Sequence, residues 1–451
     1  MNPTIFREYD IRGVVDKDLT RETVRELGKG SASYFAQRGI KRICVGRDCR
    51  PSSDPFFEAL LEGLLGSGME VIDVGVCPTP LLYFSIVHLE QEGGVMITGS
   101  HNPPEFNGFK VCVGKDAIYG GEIQRVREII EKRDYVQGRG GLAQHDIIKD
   151  YHRYVLANIQ VNREIKVVVD AGNGTGGVVG VPIMRELGCR VEALYCEMDG
   201  QFPHHHPDPT VERNLRDLIA TVTATGADLG IGYDGDADRI GVIDEKGGII
   251  WGDKLMIIFV RAIIKEQGGG TFIGEVKCSQ TLYDEIERLG GRAIMWKTGH
   301  SLIKDKMKKE GALLAGEMSG HMFFADRYFG FDDAIYASCR LLEIMAKSGK
   351  RVSELLEGIP RTYATPEIRV DCPDDIKFQI VERATEHFRQ GYPVIDVDGM
   401  RVKFPDGWGL LRASNTQPAL VLRFEAASEK TLEEIRGVIE AKVHELMQGI
   451  S

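Results

Sequence analysis

Asp234-Gly-Asp236-Ala-Asp238-Arg239 sets three carboxylates at alternate positions of one short segment. Gly and Ala between them let the oxygens converge on one hard cation. Mg²⁺ takes oxygen ligands in an octahedron that water or phosphate completes. The same spacing opens an EF-hand calcium loop, and Glu245 even falls at its twelfth position. Against that reading, Arg239 stands where the calcium loop needs Gly, and the flanking apolar runs read as strands, not helices. A plain solvated acidic turn is the other alternative. Arg239 beside the acids adds a phosphate to the expectation, because guanidinium matches phosphate geometry.

Ser100-His101-Asn102-Pro103-Pro104 follows the strand-like run 95–98 across Gly99. A serine on such a strand-end loop is expected to be exposed and rigidly held. His101 and Lys110 are close enough in sequence to act on it or on its adduct. A capping serine in a Pro-terminated loop is the bland alternative. A serine hydrolase fits less well, because the G-x-S-x-G nucleophile elbow is absent. A phosphoserine facing the Asp loop fits better, since its dianion supplies the metal's remaining ligand.

Gly316-Glu317-Met318-Ser319-Gly320-His321 offers a carboxylate, a hydroxyl and an imidazole suited to sugar hydroxyls. Lys277 and Lys297-Thr-Gly-His300-Ser301 add donors, although either histidine alone is more often structural. Arg412-Ala-Ser414-Asn415-Thr416-Gln-Pro418 gathers a guanidinium, short polar side chains and backbone N–H groups, which suits a dianionic phosphate. Taken alone, it could equally be a turn. Gly172-Asn-Gly174-Thr-Gly-Gly177 matches the dinucleotide pattern G-x-G-x-x-G. Its candidate ribose acid, Glu192, falls near the start of the next apolar run instead of its end. The glycines are therefore read as a tight strand-to-helix turn. His204-His205-His206 stands among Pro203, Pro207 and Pro209, and consecutive histidines on a stiff extended loop point different ways. Zinc is not expected there.

The elements that must position these residues recur as one pattern. A short apolar run ends in a Gly-containing polar loop at Arg47-Asp48, Thr98-Gly-Ser100, Asp170-Ala-Gly, Asp234-Gly-Asp236, Glu275-Val-Lys277 and Glu317-Met-Ser319. Such runs read as strands buried on both faces. Between them, Phe56, Phe57, Leu60, Leu61, Leu64 and Leu65 make a helical face within 54–65, and 210–225 and 279–289 look similar. Alternating strand and helix predicts largely parallel α/β sheets, whose ligands bind at strand C-termini. Three α/β domains are expected over 1–146, 147–249 and 250–360. A smaller α+β domain follows over 361–451. It holds a helix near 374–390, a strand-like 394–402, the loop 412–418, a strand 419–425 and a C-terminal helix from Glu429.

Composition narrows the function classes. Apolar residues make up 43% of the 451 and charged residues 27%, as in a globular protein with a sizeable core. Lys and Arg number 56 against 67 Asp and Glu, a net charge of −11, so cations to neutralise nucleic-acid phosphates are not in excess. No nucleic-acid partner is expected. No run of 18 apolar residues predicts a membrane span, and the polar N-terminus has no apolar signal region. Nine scattered cysteines without a CxxC pair fit reduced thiols, hence the cytoplasm.

Assembled in order, Tyr9-Asp-Ile-Arg12-Gly, TGSHNPPEFNGFK (98–110), DGDADR (234–239), GEMSGH (316–321) and RASNTQP (412–418) resemble the α-D-phosphohexomutase family over essentially the whole chain. The last two loops look like the phosphomannomutase/phosphoglucomutase subgroup. Phosphoglucosamine mutases typically read GEQSGH and SGTEP there, so Met318 and Asn415 argue against them. The resemblance implies four domains around a central cleft, the last TBP-like. It implies a phosphorylated Ser100 that passes its phosphoryl group to a hexose phosphate. The bisphosphosugar then reorients and returns its other phosphate. By the same resemblance, Mg²⁺ is held by Asp234, Asp236, Asp238 and the Ser100 phosphate. Arg12, Lys110 and Arg239 surround the reacting phosphate, and His101 or Lys110 moves the proton. Glu317 and Ser319 hold sugar hydroxyls near Lys277, His300 and His321. Arg412, Ser414, Asn415 and Thr416 grip the distal phosphate, and Tyr9 lines the cleft. Hexose phosphates are the expected substrates, glucose or mannose 1,6-bisphosphate the activator, and a monomer or weak dimer the expected state. The competing functions are a phosphoglucosamine mutase, a phosphatase and a non-catalytic sugar-phosphate binder. Cys49, within Arg47-Asp48-Cys49-Arg50, and the triple histidine have no role in this reading.

Overall fold

The computed structural model describes residues 1–415 and 417–450. Its first sheet orders the strands Ile11–Val14, Phe106–Val113, Gly93–Ile97, Arg42–Arg47, Glu70–Val76 and Leu142–Gln144. The last four run parallel, while Ile11–Val14 and Phe106–Val113 add an antiparallel edge. Helices Arg21–Ala36, Ser53–Gly66 and Gly121–Lys132 bury Leu27, Leu60 and Val126 in one core cluster with Val45 and Val95. Helices Thr79–His88 and Ile147–Asn158 bury Phe84 and Tyr151 in another.

The second and third sheets repeat the arrangement. Ile249–Ile250, Ile240–Asp244, Leu229–Tyr233, Lys166–Asp170 and Arg190–Leu194 form the second, with Lys166–Asp170 parallel to both neighbours. Arg292–Trp296, Thr271–Glu275, Leu314–Gly316 and Met322–Phe324 form the third, again with a parallel centre and an antiparallel edge. These three units are not loosely strung. One core cluster runs from Cys44 through Tyr151 and Tyr233 to Leu341. The fourth sheet is antiparallel throughout and packs helices Lys377–Arg389 and Glu429–Ile450 around Ile380, Leu422 and Ile439. Three α/β domains and a C-terminal α+β domain are thus present.

Two elements depart from expectation. The strand-like 394–402 is a tight hairpin of Val394–Ile395 against Met400–Phe404. Gly399, at φ +79°, turns the chain there. The helix expected over 210–225 begins only at Arg216, after a 3-10 turn at Glu212–Leu215. Asp208 explains the delay: its side chain accepts from Thr210 N and Thr210 Oγ1, an Asx-type turn that competes with helix. No described helix is long and apolar enough to cross a membrane.

Candidate active site

The Asp segment is the loop of an antiparallel hairpin, since Tyr233 pairs with Ile240 across it. Asp234 Oδ1 accepts from the backbone N of Asp238 and Arg239, both at 3.1 Å, which curls the loop inward. Asp234, Asp236 and Asp238 are buried, and one carboxylate oxygen from each lies within 4.8 Å of the others. Three anions this close cannot all ionise freely. Burial, then Asp238 and Asp236, push the Asp234 carboxyl well above its usual range. Burial also opposes ionisation of Asp236, but the Lys110 ammonium, 2.9 Å away, and Thr79 Oγ1, at 2.5 Å, hold its pKa low. Lys110 also donates to Asp238 Oδ2 at 2.6 Å. Asp236 Oδ1 and Asp238 Oδ1 remain buried with no hydrogen-bond partner among the described residues. One ammonium against three carboxylates, with two oxygens orphaned, is an environment that a hard cation satisfies.

Ser100 enters this cluster from the first sheet. Its Oγ donates to Asp234 Oδ2 at 2.9 Å and lies 3.1 Å from His101 Nδ1. The serine was expected to be exposed. It is 4% exposed, because the Asp loop of the second domain lies against it: a Cβ on Gly235 would come within 2.5 Å of Ser100 O. It is held at φ +48°, a left-handed conformation that non-Gly residues rarely adopt. Burial, then the guanidinium charges of Arg239 and Arg12, keep the His101 pKa well below its usual value. Burial also opposes the Lys110 charge, but Asp236 and Asp238 outweigh it and hold the ammonium protonated. Lys110 reaches the cluster because its strand pairs with Gly93–Ile97, with Lys110 opposite Met96. Arg12 on the edge strand donates to Asn102 Oδ1 at 2.9 Å and to Asp10 at 2.5 Å.

From the Asp loop the wall of the cleft runs through the third domain. Arg239 Nε donates to His321 Nε2 at 3.0 Å. The opposite nitrogen, Nδ1, lies 3.1 Å from Asp332, which in turn pairs with the buried Lys304. The His300 ring lies 5.9 Å from His321, and the Tyr9 ring 6.1 Å from His300. Glu317 is fixed by Gly299 N at 2.7 Å and accepts from Ser319 Oγ at 3.2 Å. Lys277 reaches Glu367 of the last domain at 3.1 Å and Glu275 at 3.7 Å. Burial opposes the Lys277 charge, but those two carboxylates raise its pKa.

The far end is built by the last domain. Arg412 Nε donates to Asp398 at 3.0 Å, and Asp398 also accepts from Thr298 N across the domain boundary. Ser414 Oγ accepts from Gln417 N at 3.1 Å. Asn415 Nδ2 donates to the Tyr9 hydroxyl at 2.8 Å. Thr416 lies outside the described residues. The other expected site residues fall into two groups: Ser100, His101, Lys110, Arg12 and Arg239 with the Asp triad, and Arg412, Ser414 and Asn415 at the far end. Tyr9, Lys277, His300, Glu317, Ser319 and His321 lie between. Sequence reasoning missed Thr79, Asp332, Glu275, Glu367 and Asp398. Of these, only Glu275 stood at a strand end already singled out as a ligand loop.

The dinucleotide-like glycines have a structural purpose. Gly174 lies under the Asp loop, where a Cβ would come within 2.5 Å of Gly235 O. Thr175 N and Oγ1 both donate to that same carbonyl. The triple histidine braces the same region: His205 Nε2 meets Asp170 at 2.9 Å and His204 Nδ1 meets Asn173 at 2.7 Å.

Models of four phosphoglucomutase/phosphomannomutase domains match in order: alpha/beta/alpha domain I over residues 3–137, domain II over 149–248, domain III over 251–363 and the C-terminal domain over 367–442. The phosphomannomutase/phosphoglucomutase of Pseudomonas aeruginosa is 48% identical over 436 residues, 96% of this chain and 94% of that one. The phosphoglucomutase of Neisseria gonorrhoeae is 44% identical, covering 98% and 97% of the two chains. A crystal structure of a phosphoglucomutase/phosphomannomutase family protein from Burkholderia thailandensis superposes with a TM-score of 0.92 at 39% identity, over 98% of this chain and 97% of that one. This chain belongs to the phosphoglucomutase/phosphomannomutase family.

Proposed function

We propose that the protein interconverts the 1-phosphates and 6-phosphates of mannose and glucose through a phosphorylated Ser100 and a bisphosphorylated sugar. The observation that carries this reading is the contact of Ser100 Oγ with both Asp234 and His101 inside a buried anionic pocket. Phosphoryl transfer asks mainly for positioning and charge stabilisation. The orphaned oxygens of Asp236 and Asp238 fit a cation. Asp234, Asp236, Asp238 and the Ser100 phosphate would hold Mg²⁺, which when bound neutralises charge on the phosphoryl oxygens.

The chain's own groups do the rest. A sugar hydroxyl forms a new O–P bond as the bond from Ser100 Oγ breaks, and the hydroxyl proton ends on Oγ. His101 Nδ1, close to Oγ and held neutral, is placed to hold that proton. Lys110, Arg12 and Arg239 supply fixed positive charge around the phosphoryl group. Glu317 and Ser319 take sugar hydroxyls, with Lys277, His300 and His321 beside them. Arg412, Ser414, Asn415 and Thr416 take the phosphate that is not reacting. When the bisphosphate turns over, the two phosphates exchange ends and the same groups serve the second transfer. Glucose or mannose 1,6-bisphosphate reloads a serine that has lost its phosphate.

The test is turnover with Mg²⁺ on mannose, glucose and glucosamine 1-phosphates, with and without glucose 1,6-bisphosphate. The expected result is formation of mannose and glucose 6-phosphates, stimulated by bisphosphate. Turnover of the amino sugar alone would overturn the substrate assignment. Free phosphate as the main product would replace the mutase with a phosphatase.

A further inference from the structure

We propose that Arg50 is a positioning residue for phosphoryl transfer, fixing the aim of Ser100 through the main-chain carbonyls of its loop; this rests on the mutase reading above. Guanidinium has five N–H donors, and here all five are engaged. Nη2 donates to Ser100 O at 2.8 Å and Asn102 O at 2.6 Å. Nη1 donates to Pro103 O at 2.7 Å and Phe106 O at 3.0 Å. Nε donates to Asp48 Oδ2 at 3.1 Å. The side chain is 0% exposed. Asp48 completes the clamp by accepting from Gly99 N at 3.1 Å and from Ser53 Oγ at 2.5 Å.

The clamp answers a specific need. Ser100 sits at φ +48°, and a strained residue persists only where its surroundings over-determine it. Gly99 is the matching concession, because a Cβ there would lie 2.6 Å from Arg50 Cζ. The second domain seals the clamp. The guanidinium lies 5.0 Å from the Phe202 ring centroid, and a Cβ on Gly200 would come within 2.6 Å of Arg50 Cα. Cys49 Sγ lies 3.6 Å from Asn173 O, on the same seam. The charged Arg47–Arg50 loop and the segment that carries the triple histidine thus meet over the nucleophile's backbone. Arg50 touches no reacting atom. It sets where Oγ points relative to Asp234, and a misplacement of about 1 Å costs on the order of 10²-fold in rate.

The test is Arg50→Lys, whose single ammonium has three donors radiating from one point. The readouts are kcat, the KM for glucose 1-phosphate, its affinity for the unphosphorylated enzyme, and the rate at which glucose 1,6-bisphosphate phosphorylates Ser100, followed by intact mass. The expected result is a fall of about 10²-fold in kcat and in Ser100 phosphorylation, with KM and affinity within about twofold. Added guanidinium ion should partly restore Arg50→Ala; if that variant does not fold, Arg50→Lys carries the test. Wild-type kcat in Arg50→Lys would overturn the inference. So would loss of binding and turnover in equal proportion with a lowered thermal midpoint. The wild-type chain is the control: absence of mutase turnover in it sinks the function itself, whereas an active wild type with an unaffected Arg50→Lys sinks only this inference.

Discussion

Ser100 Oγ donates to Asp234 Oδ2 at 2.9 Å, joining the end of a first-sheet strand to a hairpin of the second. Neither domain alone holds this contact. The nucleophile and the anionic pocket exist together only because the first three units share a continuous core.

That pocket is costly without a cation, since three buried carboxylates face a single ammonium. Asp234→Asn makes permanent the neutral state that burial, Asp238 and Asp236 already favour at this position, while keeping the shape. In metal-free buffer its thermal midpoint should equal or exceed that of wild type, because a third buried like charge can no longer form there. The upward shift that Mg²⁺ gives the wild type should disappear. Turnover should fall by about 10³-fold or more, as expected for loss of preorganised charge stabilisation. Thermal denaturation with chelator and with Mg²⁺ measures both states, and a Mg²⁺ shift retained by the variant would contradict the metal assignment.

Tyr9 ties three domains together through one hydroxyl. It donates to Thr298 O at 3.0 Å and accepts from Asn415 Nδ2 at 2.8 Å. Burial pushes the phenol up to about 12, so it stays a neutral donor at ordinary pH. Tyr9→Phe should cost about 1–2 kcal/mol of closure, or roughly 5- to 30-fold in kcat/KM. Escape of the bisphosphate per turnover should rise, which product analysis by mass spectrometry would register. Unchanged kcat/KM and unchanged escape would show that the bond does not help close the cleft.

How much of this was legible in the residues depends on the distance over which each interaction is set. Asp234, Asp236 and Asp238 lie within five consecutive positions, so their convergence follows from local spacing. Ser100 and Lys110 were legible as neighbours in sequence, but not the strand Phe106–Val113 whose pairing with Gly93–Ile97 brings Lys110 to the cluster. Burial of Ser100 was not legible either, because the cover comes from the Asp loop of another domain, whose Asp234 stands 134 residues away in sequence. Thr79 escaped for the same reason, since it reaches Asp236 only after separate sheets have docked. Asp332 escaped differently: it lies in the same domain as His321 and is brought to it by a bridge between Asp332 and Phe323, a local return of the chain with no motif to mark it. The glycines at 172–177 gave a correct turn, but the passing Gly235 backbone that demands Gly174 is invisible in one dimension. Asp396–Gly399 was the opposite case, a local turn signal overlooked inside an apolar run.

Asp333 gives the fold a pH dependence. It is buried and accepts from Tyr328 OH at 2.7 Å, Tyr151 OH at 2.8 Å and Tyr336 N at 2.8 Å. Burial outweighs these bonds and pushes its carboxyl up to about 6. The folded chain therefore binds this proton more tightly than the unfolded chain does. The associated stabilisation is complete below about pH 4 and is lost as pH rises through about 6, an effect on the order of 3 kcal/mol. Asp333→Asn should lack that loss, so its stability relative to wild type should improve from pH 4 to pH 7. Thermal midpoints across that range measure it, and parallel curves for the two proteins would refute the assignment.

Arg401 extends the same reasoning to the junction of the last two domains. Its buried guanidinium donates to Val276 O at 2.6 Å and Cys278 O at 2.8 Å, the carbonyls on either side of Lys277, and lies 3.7 Å from the Trp408 ring centroid. The side-chain ammonium of Lys277 meanwhile pairs with Glu367. The last domain thus holds Lys277 from both its backbone and its tip. Arg401→Met leaves two buried carbonyls unpaired, a cost of about 2–6 kcal/mol at roughly 1–3 for each. If Arg401 also positions Lys277, the KM for sugar phosphate should rise at least about fivefold, the equivalent of roughly 1 kcal/mol of binding, with kcat changed less. Adding Arg401→Met to Lys277→Ala should then raise KM no further, because the two changes act through one group. A lowered thermal midpoint with unchanged KM, or KM effects that multiply in the double variant, would confine Arg401 to holding the domains together.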